Sequence, residues 1–285
     1  MNGPHQGGWI HTKYGEDWFI HFQDKGPYGR VCHLQPVDWS SGWPVMGNAG
    51  EPYWKFRKPK SDSKTIVNPV ETDEFDSSKL GMQWQWQNDY KESYGQATSM
   101  GFFRLFTYAL PELGDVSNLW YVPNMLLQKT PADEFTATTK LSFCSRNSDQ
   151  YVGLVCMSAE YSSVGLQRTE DDYELQIRHN PNAMRTHLTD EVLTVDTLKP
   201  TQKGTPRKGR PAEMHIKDVY LRMSIKDSKV NYAYSIDGKK WKKAGGEYAM
   251  GKGRWIGSKI GFFAVDPNKT GRKGFIDIDW FRISR

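Results

Sequence analysis

In the seven-residue stretch Val219-Tyr220-Leu221-Arg222-Met223-Ser224-Ile225, every second side chain, beginning with Val219, is apolar. In a strand these side chains would point to one face and the three between them to the other. The residues after it repeat the alternation, with Val230, Tyr232, Tyr234 and Ile236 on one side. Strict alternation is typical of a strand with one buried face, because successive side chains of a β-strand lie on opposite faces. The two stretches therefore predict a β-hairpin with one apolar face.

Strand-like segments continue on both sides of this hairpin, with no convincing long helix between them. An aromatic content of 13%, with 26 glycines and 15 prolines, suits many short strands joined by tight turns. About a dozen strands in residues 71–285 predict two stacked antiparallel sheets, so the fold class is an all-β sandwich. The last strand should pair near the first, because an unpaired terminal strand would expose a long edge. The further strands are predicted at 135–143, 150–160, 173–178, 259–265 and 275–283.

A second pair of strands is predicted near the N-terminus. Residues 17–23 and 31–37 alternate large apolar and polar side chains, and a Gly/Pro turn at 24–30 joins them. A lone hairpin of this size cannot bury enough apolar surface to be stable in water. We therefore expect it to lean on a larger structure.

The boundary between the two regions has the composition of a turn and an exposed connector. Residues 47–52 form a Gly/Asn/Pro turn cluster, and residues 58–64 are rich in Lys and Ser. We predict a first unit at 1–47, a linker at 48–70 and a β-sandwich domain at 71–285. A hinge or a proteolytic site is expected in the linker.

Several ordered motifs cover nearly the whole chain. They are Gly3-Pro4-His5-Gln6-Gly7-Gly8-Trp9 and residues 16–24, 29–39 and 42–45 in the first unit, then residues 73–76, 80–87, 101–105 and 274–281. The first group resembles the closing blade of glycoside hydrolase family 43, whose β-xylosidases and α-L-arabinofuranosidases are built on a five-bladed β-propeller. The second group resembles the concanavalin-like β-sandwich, a jelly roll, that many members carry after the propeller. The resemblance implies that residues 1–47 are a remnant of a truncated propeller, and that the missing N-terminal blades belong to a parent protein.

The resemblance also implies where the catalytic groups lie. Inverting glycosidases need a general acid and a general base about 6.5–9.5 Å apart, with room for a water molecule. In the family these carboxylates belong to earlier blades, and Glu16, Asp17, Asp24 and Asp38 do not match their motifs, so we expect those four to be ordinary solvated charges. No catalytic residue is nominated, and the chain alone should be inactive.

Three positions of the first unit are candidates for substrate binding. Arg30 matches a family arginine that approaches the sugar and the catalytic carboxylates, and a guanidinium suits this role because it stays charged and offers several fixed donors. His5 matches a histidine near the propeller axis that faces the pocket or holds a central metal, often calcium, through water. Gln6 is its neighbour. From the sequence alone, Arg30 and His5 could equally be structural hydrogen-bonding residues.

The sandwich offers two further groups of candidates. Aromatic side chains can stack on sugar rings, and the candidates are Trp84, Trp86, Trp120, Tyr121 and Trp241, although Trp84 and Trp86 share one strand face and are better explained as core residues. Glu74 near the first strand and Asp277 or Asp279 in the last could form a structural calcium site if those strands adjoin. The alternative is a set of paired surface carboxylates. No cofactor is required.

Other classes of function are not favoured. A net charge of +5 is modest, and its Lys and Arg clusters lie in Pro- and Gly-containing loops, so we expect no nucleic-acid partner. No apolar run approaches the roughly 18 residues that cross a membrane. Cys32, Cys144 and Cys156 lack metal-site spacing and are expected to be buried free thiols. His21 and His33 are expected to be packing or surface residues.

Three hypotheses of different classes follow. The favoured one is the C-terminal part of an exo-glycosidase acting on xylo- or arabino-oligosaccharides from xylan or arabinoxylan. The second is a stand-alone carbohydrate-binding β-sandwich without catalysis, and the third is a structural or assembly domain. The compartment is left open.

Overall fold

The computed structural model describes residues 4–110, 118–185, 188–253 and 255–285. Its regular elements in these ranges are β-strands and two short 3-10 helices, Gly26–Tyr28 and Leu119–Tyr121. In these ranges no helix is long and apolar enough to span a bilayer. The first four strands form a separate N-terminal sheet in the order β1-β2-β3-β4. They are β1 (Pro4–His11), β2 (Asp17–Asp24), β3 (Arg30–Asp38) and β4 (Val45–Met46).

The other strands build two eight-stranded sheets. They are β5 (Gln85–Trp86), β6 (Gly95–Ala97), β7 (Phe103–Phe106), β8 (Tyr108–Ala109), β9 (Leu126–Lys129), β10 (Phe135–Ser145), β11 (Tyr151–Met157), β12 (Tyr161–Arg168), β13 (Tyr173–Asn180), β14 (Glu191–Leu198), β15 (Gln202–Lys203), β16 (Met214–Lys226), β17 (Lys229–Ser235), β18 (Lys242–Ala249), β19 (Lys259–Asp266) and β20 (Phe275–Ser284). Sheet A has the order β18-β17-β16-β10-β20-β7-β6, with β15 on β16. Sheet B has the order β14-β13-β12-β11-β19-β9-β5, with β8 parallel to β19. The predicted all-β sandwich is confirmed.

The two sheets enclose one large apolar core. Alternate side chains of both sheets enter it, among them Leu141 and Leu221 from sheet A and Leu154 and Phe262 from sheet B. Phe263, one residue further, lies on the opposite face of sheet B in a smaller core covered by residues 118–125. The central strands of sheet B, β11, β12 and β19, are therefore buried on both faces, whereas sheet A turns one face outward.

The last strand returns to the start of the sandwich, as predicted. The Asp73 N–H donates to the Phe281 carbonyl at 2.8 Å, and the Phe281 N–H donates to the Asp73 carbonyl at 2.7 Å. This two-bond bridge joins the beginning of the sandwich to β20, which lies between β10 and β7. The first and last segments of the sandwich are therefore hydrogen-bonded to each other.

The hairpin of β16 and β17 forms with one correction. Its turn is Asp227–Ser228, where both residues have left-handed φ values of 50° and 58°. The inward face predicted from Val219 to Ile225 is buried. Ile236 was predicted on the inward face, but it is 62% exposed because β17 ends at Ser235, whose hydroxyl accepts the N–H groups of the next turn.

A bulge in β16 changes which side chains face outward. Asp218 has φ 55°, and the pairing of β10 with β16 shifts register between Leu141 and Phe143. As a result Ile216, before the bulge, and Val219, after it, both enter the core. His215 lies on the outer face of sheet A.

The linker packs more closely on the N-terminal sheet than its composition predicts. The Phe56 ring lies 5.8 Å from the ring of buried Trp18. Glu16, expected to be a solvated charge, is only 8% exposed and binds the Arg57 guanidinium and the Lys60 N–H. The Lys60 N–H holds the pKa of Glu16 below its usual value. Residues 61–70 are exposed throughout and contain no strand.

The cysteines divide into two kinds. Cys144 and Cys156 are buried free thiols, as predicted, whereas Cys32 is exposed, like its neighbours Arg30 and Val31 at the start of β3. Burial raises the pKa of both buried thiols to about 12.

Candidate functional site

The turn between β2 and β3 meets a loop of the sandwich at residues 255–258. Gly29 and Gly257 both have φ 74° and face each other across this contact. A Cβ on Gly29 would lie 2.5 Å from the Ile256 carbonyl oxygen, and one on Gly257 would lie 2.5 Å from the Pro27 carbonyl oxygen. Only glycine permits such an approach of two backbones. The Ser258 N–H closes the contact by donating to the Pro27 carbonyl at 2.6 Å.

Tyr28 provides a second anchor at the same turn. Its hydroxyl accepts the Ser228 N–H at 3.0 Å and donates to the Asp133 carbonyl at 3.1 Å. Its ring also packs against the sandwich core. The turn is therefore held by backbone contact on one side and by a half-buried aromatic ring on the other.

Arg30 lies at this junction, between aromatic rings from both units. Its guanidinium carbon is 4.2 Å from the centroid of the Phe22 ring and 5.4 Å from that of the Trp255 ring. Both distances are within reach of a cation–π interaction. Within the described ranges no carboxylate pairs with Arg30, which is exposed, so its donors face solvent.

Trp255 presents its ring in an unusual backbone conformation. It is 65% exposed and has φ 60°, a left-handed value that costs a bulky residue energy. Such residues cluster at ligand sites, where the surrounding structure holds them in place. No sequence pattern reveals Trp255, because it lies outside every alternating stretch and its partner Arg30 is remote in the chain.

The register of the N-terminal sheet places the three substrate-binding candidates at one end. Pro4 pairs with Gln23 on β2, and Arg30 pairs with Asp24, so β1 and β3 begin at the same end of the sheet, on either side of β2. Gln6 is exposed near the start of β1, where the register shifts between Pro4 and Gly7. The side chain of His5 lies outside what the structure describes.

His21 and His33 pack against each other in the middle of this sheet. They are directly paired across β2 and β3, with ring centroids 5.5 Å apart. Burial lowers the pKa of both rings. Nδ1 of His21 and Nε2 of His33 have no hydrogen-bond partner among the described residues. Their arrangement fits packing and not catalysis.

The carboxylates proposed for calcium each have a cationic partner. Glu74 receives two hydrogen bonds from Arg282, at 2.8 and 2.7 Å, and Asp277 two from Arg104, at 2.7 and 2.8 Å. Asp279 lies 2.9 Å from the Lys140 ammonium. Their oxygens do not converge in the part of the chain that the structure describes. This geometry matches the alternative of paired surface carboxylates, and the calcium site stays a prediction.

The aromatic candidates of the sandwich serve mostly in packing. Trp84 is a core residue whose Nε1 donates to Asp73 at 2.7 Å. Trp86 packs against the same core, and Trp120 packs against the smaller one. The hydroxyl of half-buried Tyr121 donates to the Met184 carbonyl. Trp241 lies on the outside of the sandwich, 3.6 Å from the guanidinium carbon of Arg222.

Comparison with protein families gives a match over most of the chain. The family model described as "Beta xylosidase C-terminal Concanavalin A-like domain" matches residues 72–284. A putative beta-xylosidase of Xylanibacter ruminicola is 30% identical over 268 residues, which are 92% of this chain and 44% of that protein. A beta-xylosidase of Formosa agariphila is 26% identical over 291 residues, 93% of this chain and 45% of that protein. The chain thus spans less than half the length of these relatives.

Solved structures show the same fold. A bifunctional GH43-CE protein of Bacteroides eggerthii superimposes with a TM-score of 0.77 at 24% identity, over 99% of this chain and 34% of that one. The GH43 BlXynB protein of Bacillus licheniformis superimposes with a TM-score of 0.72 at 23% identity, over 97% of this chain and 52% of that one. Both matches include the N-terminal sheet as well as the sandwich.

Proposed function

Because the chain belongs to the family of β-xylosidase C-terminal concanavalin A-like domains, we propose that it forms the C-terminal part of a family 43 glycoside hydrolase. The parent enzyme cleaves β-xylosidic or α-L-arabinofuranosidic bonds of xylan- or arabinoxylan-derived oligosaccharides, with inversion. In this proposal the N-terminal sheet is the closing blade of a five-bladed propeller. The catalytic acid and base come from blades outside this sequence.

The observation that carries the proposal is the docking of Gly29 against Gly257. This contact leaves no room for a side chain on either backbone, so it fixes the distance between the N-terminal sheet and the sandwich. The sandwich thereby braces the sheet at the end where β1 and β3 begin. The same contact brings the Trp255 loop over Arg30.

Each side chain at this end has a chemical role in the proposal. Arg30 donates charge-assisted hydrogen bonds to sugar hydroxyls and to a catalytic carboxylate. The exposed Trp255 ring covers one face of the sugar, since a flat aromatic surface complements the C–H face of a pyranose. Gln6 lines the pocket from β1. The motif around His5, whose side chain lies outside the described structure, assigns it to the same pocket or to a water-mediated contact with a central metal ion.

The test is to express this chain together with the reading frame that lies upstream of the Met1 codon. We expect hydrolysis of 4-nitrophenyl β-xyloside or α-L-arabinofuranoside by the complete protein and none by the 285-residue chain. Trp255→Ala in the complete protein should raise KM, whereas Trp54→Ala, an 81% exposed tryptophan of the linker, should not. Turnover by this chain alone would contradict the proposal.

One observation favours a second function, a carbohydrate-binding sandwich. The outer face of sheet A carries Tyr220 and Trp280 with ring centroids 6.2 Å apart, and the Arg282 guanidinium carbon lies 4.2 Å from the Trp280 ring. Aromatic rings flanked by arginine fit sugar binding. Binding of xylohexaose by the chain alone, without turnover and lost in Trp280→Ala, would favour this function.

A further inference from the structure

Three side chains with different metal-ligating groups meet on the outer face of sheet A. Cys144 on β10 is directly opposite His215 on β16. Glu213 precedes His215 by two residues and therefore emerges on the same side of the sheet. The bulge at Asp218 lets the core residues of β16 stay inside while His215 faces Cys144.

The ligand atoms of these residues converge on one point. The Cys144 Sγ is 3.5 Å from the His215 Nε2, and the same Nε2 is 3.0 Å from the Glu213 Oε1. All three atoms lie within 4.8 Å of one another. In the described part of the chain, this is the one group of three such residues with convergent atoms.

This arrangement differs from a catalytic relay. A relay needs the thiol on one ring nitrogen and the carboxylate on the other, so that a proton can pass through the ring. Here both groups contact Nε2. A single hydrogen on Nε2 can point well at only one of them, whereas a cation at the centre would satisfy all three.

We propose that Cys144, Glu213 and His215 bind a divalent transition-metal ion of the zinc class. A tetrahedral Zn²⁺ site has metal–ligand bonds of about 2.0–2.3 Å, which places ligand atoms roughly 3.3–3.8 Å apart. The two distances at Nε2 are near this range, and small side-chain rotations adjust the rest. A thiolate, an imidazole and a carboxylate form a ligand set that zinc accepts.

The surroundings balance the charge of such an ion. A thiolate and a carboxylate together neutralise the two positive charges, and the thiol proton is released to solvent on binding. The Arg146 Nε donates to the second carboxylate oxygen, Oε2 of Glu213, at 2.8 Å and so orients Oε1 toward the site. Arg104 is already paired with Asp277, and Lys140, which lines the adjoining cleft, with Asp218 and Asp279.

A cleft gives the ion access and a fourth ligand. A cavity of about 260 Å³ on the outer face of sheet A is lined by Cys144 and His215, together with Ser142 and Phe275. It has room for a coordinating water molecule. Cys144 itself is only 2% exposed, so the ion reaches the thiol from the cleft and the sheet shields it on the other side. Bound metal would tie β10, β16 and the segment before β16 together.

Cobalt is the probe of choice because its spectrum reports the ligands. In the 285-residue chain carrying Cys32→Ser, which removes the exposed thiol, Co²⁺ should produce a near-ultraviolet thiolate-to-cobalt band and visible bands of tetrahedral cobalt. The bands should saturate at one equivalent of Co²⁺ per chain and disappear when Zn²⁺ is added. Zn²⁺ should also raise the melting temperature of the protein. A folded protein without the thiolate band would overturn the proposal.

Two histidine variants show whether cobalt binds at this site or at another histidine. His215→Gln should abolish the band or weaken cobalt binding by more than the roughly 10–100-fold that an outer-shell partner costs. His179→Gln is the matched control, because His179 also lies between two carboxylates, Glu160 at 3.3 Å and Glu191 at 3.1 Å, but has no thiol. If both variants keep the band, or both lose it, the assignment is wrong. Circular dichroism of each variant establishes that it is folded, and His215 is half-buried, so its replacement is better tolerated than that of Cys144.

Discussion

Arg30 is the residue on which the proposed pocket depends most. In the complete enzyme, Arg30→Ala should remove charge-assisted hydrogen bonds worth about 1.5–3 kcal/mol each, which lowers kcat/KM by one to several orders of magnitude. Arg30→Lys should recover only part of the loss, since an ammonium keeps the charge but not the planar fork. The measurement is kcat/KM on an aryl xyloside for the three proteins.

Thermal melting of the same proteins is the control. Arg30 is exposed and its contacts with Phe22 and Trp255 are of the cation–π kind, worth about 0.5–1 kcal/mol at an exposed site. The melting temperature should therefore change little. An activity loss that only followed the loss of folded protein would make Arg30 a structural residue of β3.

The sequence reveals some residues of the site and hides others for a physical reason. Arg30 could be found because it stands inside a motif, and the burial of Trp84 because it stands in an alternating stretch. Trp255 could not, because its position depends on a left-handed φ value and on a contact with a turn more than two hundred residues away. The cluster of Cys144, Glu213 and His215 was hidden likewise, because strand register brings it together and sequence spacing does not.

At the scale of elements, Gly257 tests whether the sandwich loop holds the turn between β2 and β3. Gly257→Ala should separate the two, because its Cβ would lie 2.5 Å from the Pro27 carbonyl oxygen. Hydrogen exchange of the backbone amides at 24–30 should then accelerate. Gly271→Ala is the matched control, since Gly271 has nearly the same φ, 73°, but no atom within 4 Å of the added Cβ. Equal exchange in both variants would show that the contact does not hold the turn.

Proteolysis of the linker should be confined to fewer residues than its composition predicts. Trypsin is expected to cleave after Lys64, within the exposed residues 61–70, and to leave a folded fragment from residue 65 onward. Arg57 should resist cleavage because it is bound to Glu16, and Lys60 because its N–H is bound there too. Peptide mass measurement of early digests decides this, and cleavage after Arg57 at the same rate as after Lys64 would refute it.

The paired histidines of the N-terminal sheet predict a pH dependence. Burial lowers the pKa of His21 and His33 in the folded chain, so the unfolded chain binds more protons as the pH falls below about 6.5. The stability that their neutral forms contribute is complete above that pH and is lost as the pH falls toward the lower folded values. Between pH 7.5 and 5.5 the hydrogen-exchange protection factors of the β2 and β3 amides, which correct each rate for its intrinsic pH dependence, should fall, and they should fall less in His33→Gln. An identical pH profile for that variant would exclude the pair as the cause.

At the scale of the whole molecule, the chain by itself should have no glycosidase activity. A positioned acid and base each typically contribute about 10²–10⁴-fold to the rate, and no pair of carboxylates matching that role was found in the sequence. Purified chain should therefore release no more 4-nitrophenol from aryl xylosides than buffer does. Turnover that a carboxylate substitution within the chain abolished would contradict this.

The overall architecture was predictable in class but not in arrangement. Alternation locates strands such as β16 and β17, because it reflects a local property of the backbone. The order of strands within each sheet depends on contacts between segments far apart in sequence, such as β10 between β16 and β20, which no local pattern encodes. The burial of the central strands of sheet B on both faces likewise arises from residues 118–125, which lie outside every predicted strand.

The bridge between Asp73 and Phe281 has a consequence for engineering. It sets the two ends of the sandwich side by side, and the nearby ion pair of Glu71 with Arg285 does the same one step further out. A short peptide could join these ends, and new ends could be opened in the exposed turn at 237–240 without breaking a pairing between strands. Because its two ends lie beside each other, the sandwich is suited to circular permutation. It is also suited to insertion into a host protein, at a loop whose two ends are one strand spacing apart.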